Sequence, residues 1–296
     1  QAAGDAHTTG SGNITIGQDA LTANTTGNNN IAIGRLALDA STTQNRSIAI
    51  GVQALSAANA AYNIAIGYGA LLADTTGNVN TAIGDQAMTA NTTGAENVAV
   101  GNYALMANTT ASQNTSVGTY TLRDNTTGAS NVAVGYKALF ENTTANDNTA
   151  VGHNAMLNTT TGAYNTAIGA EALDGNTTGA ENTAVGYQSL SASMTGSSNT
   201  GVGNYALAAV TTGADNTALG RNAGDGITTG SQNIAIGRHA LSANSGANDN
   251  IAIGYYALKV NTTGTNNIGI GASALAASTT ASGNVAIGAF CLDTNT

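Results

Sequence analysis

Proline and tryptophan are absent from this 296-residue chain, phenylalanine occurs twice and cysteine once. With so few large aromatics a broad globular core has little to be built from, because such side chains dominate the apolar area that cores bury. The single cysteine, Cys291, excludes an intrachain disulfide and fits either redox compartment. Basic residues are scarce as well: seven Lys and Arg against sixteen Asp and Glu leave a net charge of -9. Seven scattered cations offer no stripe for a phosphate backbone or an anionic lipid surface, so nucleic acid is not an expected partner. No apolar run approaches the roughly 18 residues a membrane helix needs, so no membrane insertion is expected. Charge is sparse, at 8% of residues, and β-branched residues are common, which marks the chain as ordered rather than held open by self-repulsion. The chain opens on Gln1 without Met or a signal-peptide pattern, so any export signal is expected to have been removed or not included.

What is present is repetition. The stretch "NTAIGAEALDGNTTGAENTAVG" at 165–186 states one phrase and begins it again. Its glycine recurs from Gly17 to Gly288 in seventeen copies at 17-residue spacing, with one 16-residue interval between Gly51 and Gly67 where the loop is a residue short. A period that runs end to end predicts a quasi-linear stack of coils whose length follows from the copy number. The expectation is one repeat domain over 1–296, without separate anchor, stalk or cap, and at the strand spacing of about 4.8 Å a rod of roughly 80 Å. Both termini keep repeat-like phrases, which suggests that each end accepts another coil.

Numbered from its Asn as slot 1, the consensus is N-[ITV]-A-[IV]-G-x-x-A-L-x-x-N-T-T-G-x-x. Slots 2 and 4 are mostly β-branched, as in Ile31 and Ile33 or Thr183 and Val185, and slot 3 between them is small, as in Ala32 and Ala184. That period-two alternation predicts a strand. Both faces look constrained, so one face is expected inside the coil and the other against a second surface, either the opposite wall or a neighbouring chain. Gly at slot 5 ends the strand, Ala and Leu at slots 8 and 9 predict a second short strand, and "NTTG" at slots 12 to 15 predicts the closing turn. Ala at slots 3 and 8, Ile or Val at slot 4 and Leu at slot 9 are the expected core. The variable slots 6, 7, 16 and 17 are the expected solvent positions.

Slot 1 is Asn in sixteen of seventeen copies, Ser47 being the exception. Stacking identical coils predicts a side-chain amide ladder through Asn13, Asn30, Asn97, Asn131, Asn165, Asn182, Asn233 and Asn250. The "NTT" triplets at Asn24, Asn91, Asn108, Asn125, Asn142, Asn176 and Asn261 are turn formers and also acceptor sequons, hence candidate glycosylation sites in a glycosylating host. The triplet at Asn158 shares both readings. Tyr68, Tyr103, Tyr136, Tyr187, Tyr205 and Tyr255 fall in slots 6 and 7 with Tyr120 and Tyr256. Such rings either cover turn backbone or form a contact surface for sugars or a neighbouring fibre, and the sequence does not separate the two.

Catalytic patterns are wanting. His7, His153 and His239 occupy three different slots and do not line up as metal ligands or as a repeated base. Acids gather at slot 17 (Glu96, Asp147, Glu181, Asp215, Asp249) and slot 10 (Asp5, Asp39, Asp174, Asp225, Asp293), in neither case as the successive-coil oxygen set a calcium repeat needs. "IGxxAL" matches one unit of a hexapeptide acyltransferase β-helix, but the next aliphatic of that pattern would fall on slot 10, mostly Ala, Asp or Ser. A regular Thr array suits an ice-binding face, yet the two Thr here are adjacent in a turn and do not share a face. No enzyme activity, cofactor or metal is expected.

"NIAIGRLAL", "NVAVGYKAL" and "NTAIG", repeated throughout, resemble the head repeats of trimeric autotransporter adhesins of the YadA type, with their S-x-A-x-G core, and similar repeats of phage tail-fibre-like proteins. The resemblance implies an all-β, left-handed parallel β-roll, usually trimeric, at a cell or virion surface. The expected function is a structural subunit of an extracellular fibre, self-associating end to end and laterally. The alternative is an adhesive, receptor-binding head, with glycans or a host surface as partner.

Overall fold

The computed structural model describes residues 3, 4, 6 and 8–293, which fall into two compact units, Gln1–Asp147 and Asn148–Thr296. Each unit is a parallel β-solenoid. The first carries eight strands, β1 (Ile14–Ile16) through β8 (Val132–Val134), and the second nine, β9 (Thr149–Val151) through β17 (Val285–Ile287). Among the described residues there is no helix.

Every strand is three residues long, slots 2 to 4, and within each unit successive strands pair in register: Ile31 opposes Ile48 and Ala32 opposes Ala49, as Thr183 opposes Thr200. The short coil keeps this register, with Ile48 opposite Ile64, because its missing residue lies in the loop. The small slot-3 residue points inward, and Ala32, Ala82, Ala99 and Ala184 are fully buried. Slots 2 and 4, on the opposite side of the pleat, face outward.

The sidedness corrects one expectation. Slot 4 was expected in the core, yet Ile33, Ile50 and Ile253 are only half-buried and Ile83, Ile168 and Leu219 are 36%, 43% and 50% exposed. A three-residue strand inside so narrow a coil has room for one inward side chain, and Ala takes it. The inner space is filled instead by Ala of slot 8, Leu or Met of slot 9 and the slot-12 residue, all fully buried in most coils.

A second correction concerns slots 8 and 9, which form turns and no strand. The backbone alternates hands there: slots 7 and 9 take positive φ, as at Tyr103 (58°) and Leu105 (52°), and slot 17 does so again, as at Glu96 (59°). The alternation aims successive N–H groups in opposite directions along the stack. Tyr103 donates back to the Asp85 carbonyl at 2.9 Å and Leu105 donates forward to the Thr121 carbonyl at 2.9 Å. Coils are therefore hydrogen-bonded to one another even where no strand exists, and the buried backbone is satisfied.

Glycine at slot 5 is required by approach as well as by angle. Gly118 has φ 133°, and a Cβ there would stand 2.5 Å from the carbonyl oxygen of Gly135 in the following coil. The slot-13 threonine closes the turn: the backbone N–H groups of Thr92 and Thr93 and the Thr92 hydroxyl all donate to the Thr109 carbonyl, at 2.8, 3.2 and 2.9 Å.

Candidate binding surfaces and buried ladders

The slot-1 asparagines are fully buried in nearly all coils, and each spans two links. Its Nδ2 donates to the slot-15 carbonyl of its own coil, and its Oδ1 accepts the slot-1 N–H of the next. In the first unit Asn13 donates to Gly27 (2.8 Å), Asn30 to Gln44 (2.8 Å), Asn97 to Ala111 (2.9 Å) and Asn131 to Ala145 (2.9 Å). Asn30 N–H in turn bonds Asn13 Oδ1 at 2.9 Å. In the second unit Asn165, Asn182, Asn233 and Asn250 donate to Gly179, Gly196, Ala247 and Gly264 at 2.9 to 3.0 Å. Asn182 N–H bonds Asn165 Oδ1 at 2.9 Å, and Asn250 N–H bonds Asn233 Oδ1 at 3.1 Å. Ser47 reaches less far, and its hydroxyl meets the Asn63 N–H at 3.4 Å.

The sequon asparagines form a second, inner stack. Asn24, Asn91, Asn108, Asn125, Asn142, Asn176 and Asn261 are all fully buried. Asn108 Nδ2 donates to Asn91 Oδ1 at 2.9 Å and to the Ala111 carbonyl at 3.0 Å, and Asn142 repeats the pattern on Asn125 and Ala145. These amide nitrogens have no path to solvent, so the folded coils cannot carry glycan on them, and the expectation of glycosylation at these seven positions is withdrawn. Asn158 sits one slot earlier, half-buried, with its Nδ2 on the Asp174 carbonyl at 2.8 Å.

One member of the inner stack is ionisable. Asp74 replaces Asn at slot 12, is fully buried, and accepts from Asn91 Nδ2 (2.9 Å), Asn63 Nδ2 (3.2 Å) and Gly77 N–H (3.2 Å). Burial pushes its pKa up to about 7, against the lowering effect of the bonds from Asn91 and Gly77. Burial likewise lifts Asp174 to about 6, helped by the charge of Glu171, and raises Asp39 and Asp225.

The outer edge at slots 6, 7 and 10 gathers the large polar side chains. Tyr68, Tyr136, Tyr187 and Tyr255 are exposed, and Tyr103 and Tyr205 are half-buried. Tyr103 and Tyr120 stack one coil apart at 5.2 Å and 9° between planes, and Tyr187 meets Tyr205 edge to face at 5.6 Å. Tyr120 also meets Tyr136 and Phe140 edge to face, at 6.2 and 6.4 Å. The Arg123 guanidinium lies 3.9 Å from the centre of the Phe140 ring, and the Lys137 ammonium 5.4 Å from Tyr136 and 5.3 Å from Phe140. Tyr120, Arg123, Tyr136, Lys137 and Phe140 line an open concavity of about 340 Å³. Phe140 and both cations went unmarked in the sequence, although aligning the copies by their glycine places every one of these residues at slots 6, 7 or 10.

His153 is exposed, His239 stacks on Tyr256 at 5.4 Å, and His7 and Asp5 lie outside the described residues. Among the described residues no three His, Cys, Asp or Glu side chains are grouped to hold a metal ion, and no helix is long and apolar enough to cross a membrane. No protein-family model matches the chain, and no curated protein matches it.

Proposed function

We propose that this chain is a non-enzymatic structural or adhesive repeat protein of an extracellular fibre, in which coils of neighbouring copies associate laterally through the outer strand face. One observation carries the reading. Each unit presents an all-parallel sheet whose outer face is two rows of side chains, such as Ile31 and Ile33, Ile48 and Ile50, and Ile64 and Ile66 in the first unit, without a charged residue in slots 2 or 4 of any coil. The slot-4 row is Ile, Val or Leu in every coil, while slot 2 varies among Ile, Val and Thr; all-parallel sheets are ordinarily covered on both faces, and an uncovered apolar row of this length marks an interaction site. The occupant that fits a strip repeating every coil is another strip of the same period, that of a second copy.

The likeness to adhesin heads and phage tail-fibre repeats points the same way and supplies the extracellular setting. The threonines favour the fibre over an ice-binding surface, since the slot-13 hydroxyls are used on backbone carbonyls (Thr75 to Thr92 at 2.8 Å, Thr211 to Thr228 at 3.1 Å).

The test is the native mass in solution with electron microscopy of the same material. Oligomers or filaments that dissociate in an Ile48→Lys, Ile50→Lys variant of unchanged circular dichroism are expected. A monodisperse wild-type monomer overturns the reading.

A further inference from the structure

We infer that the aromatic and cationic edge at slots 6, 7 and 10 is a binding site for carboxylated sugars, centred in the first unit on Tyr120, Arg123, Tyr136, Lys137 and Phe140. The site is independent of lateral assembly, because it lies at slots other than the strand face.

Three features select the ligand class. The rings supply flat apolar faces, Tyr136 being 44% exposed, of the kind that pack against the C–H face of a pyranose while the phenol oxygen bonds a sugar hydroxyl. Two of the seven basic residues of an acidic chain stand at the same concavity. Arg123 is held in place by its Nε and Nη2 bonds to Asp124 at 2.7 and 2.8 Å, which orient its guanidinium over Phe140. Lys137 shares the Phe140 ring from its own side at 5.3 Å, and among the described residues no carboxylate lies within ion-pair distance of it. A neutral sugar leaves that ammonium unused, whereas a carboxylate answers it with a charge-assisted bond. The concavity of about 340 Å³ is at the small end of ligand sites, which suits one or two sugar residues.

The same slots repeat part of the arrangement in the second unit. "YTLR" at 120–123 is matched by "YALK" at 256–259, placing Tyr256 and Lys259 in the slots of Tyr120 and Arg123. Lys259 Nζ lies 4.3 Å from the Tyr256 ring centre, and Tyr256, Lys259 and Phe290 line a concavity of about 400 Å³ together with small residues and Asp293. The second edge keeps the ring and cation of one coil, while the slots of Tyr136, Lys137 and Phe140 hold Ala272, Ser273 and Ala276; both phenylalanines of the chain stand at these two edges.

Calorimetric titration of the full chain with trigalacturonate, and with maltotriose and inorganic triphosphate as neutral and non-sugar controls, tests the inference. Trigalacturonate is expected to bind at two sites per chain and maltotriose not at all at the same concentration. An Arg123→Gln, Lys137→Gln variant is expected to retain one site, and Tyr136→Leu to weaken the first-unit site about tenfold with the fold unchanged by circular dichroism. Absence of trigalacturonate binding, equal binding of maltotriose, or equal binding of triphosphate each overturns the proposal. So does an unchanged stoichiometry in a folded double variant; if that variant is unfolded, Tyr136→Leu alone decides by the same titration.

Discussion

Leucine at slot 9 looks like ordinary core, but its backbone asks for something more particular. At φ near 52° a β-branched side chain clashes with its own carbonyl, whereas Leu and Met, branched further out or not at all, are tolerated. Slot 9 accordingly holds Leu or Met in sixteen copies and Gly224 in one, and never Ile or Val. At Gly224 the missing volume is returned by Ile227 from slot 12, whose Cδ1 would stand 3.1 Å from an added Cβ. Leu105→Ile, usually a mild exchange, should therefore cost about 2 kcal/mol from backbone strain and repacking together, measured by denaturant unfolding. Asp74 gives the residue scale a pH dependence. Its carboxyl binds its proton more tightly folded, at about pH 7, than at the unfolded value of 3.8, so the folded state holds more protons in that interval. Stability is full below the lower value, falls as pH rises towards 7, and is level above it. Asp74→Asn should raise the melting temperature at pH 8 and leave it nearly unchanged at pH 3.5; an equal shift at both would remove the carboxyl as the cause.

At the scale of the element, the coil is held less by its strand than by what the asparagines do around it. Removing Asn114 takes from the Asn131 N–H the acceptor it meets at 2.9 Å, and from the Gly128 carbonyl one of two amide donors, the Asn125 Nδ2 remaining at 2.9 Å. Losing that acceptor and one of the two donors should cost about 1 to 3 kcal/mol in Asn114→Ala, seen as a lower midpoint in urea. The strand and the slot-1 stack were legible because both follow from identity repeated at a fixed period. Sidedness was not: a three-residue strand with two branched residues and one Ala gives no sign of which side is narrow, and intuition sent the larger residues inward. The turn at slots 8 and 9 was misread because Ala-Leu is apolar and short runs of that kind do not distinguish strand from turn. The exclusion of Ile and Val from slot 9, against their abundance at slots 2 and 4, was the available signal. Burial of the sequons was not legible because polar Asn reads as exposed, whereas here the inner amides bond the slot-15 backbone of their own turn and, from Asn91 to Asn142, one another.

For the whole molecule, the coil is the unit of insertion and loss. Each coil touches only its neighbours, so excising one complete period should keep every register, whereas excising part of one should not. Deletion of residues 98–114, which joins Asn97 to Thr115, is expected to give a folded chain with a slightly lower melting temperature. Deletion of 98–106 alone should lose the circular dichroism of the folded state. The edge that carries Tyr120, Arg123 and Phe140 was visible only at this scale, since its members come from two successive coils and meet only once the copies are laid over one another.

The slot-1 amides run one way: Asn97 offers Oδ1 to the N–H of Asn114, and Asn114 offers its own to Asn131. Each slot-1 side chain thus leaves a waiting acceptor at the place where the next segment will arrive, and the forward-pointing N–H groups, such as that of Leu105, wait beside it for the carbonyls that segment brings. A chain made from its amino end can be wound as it is made, turn upon turn, like thread taken up by a spool that never has to be unwound to admit the next length.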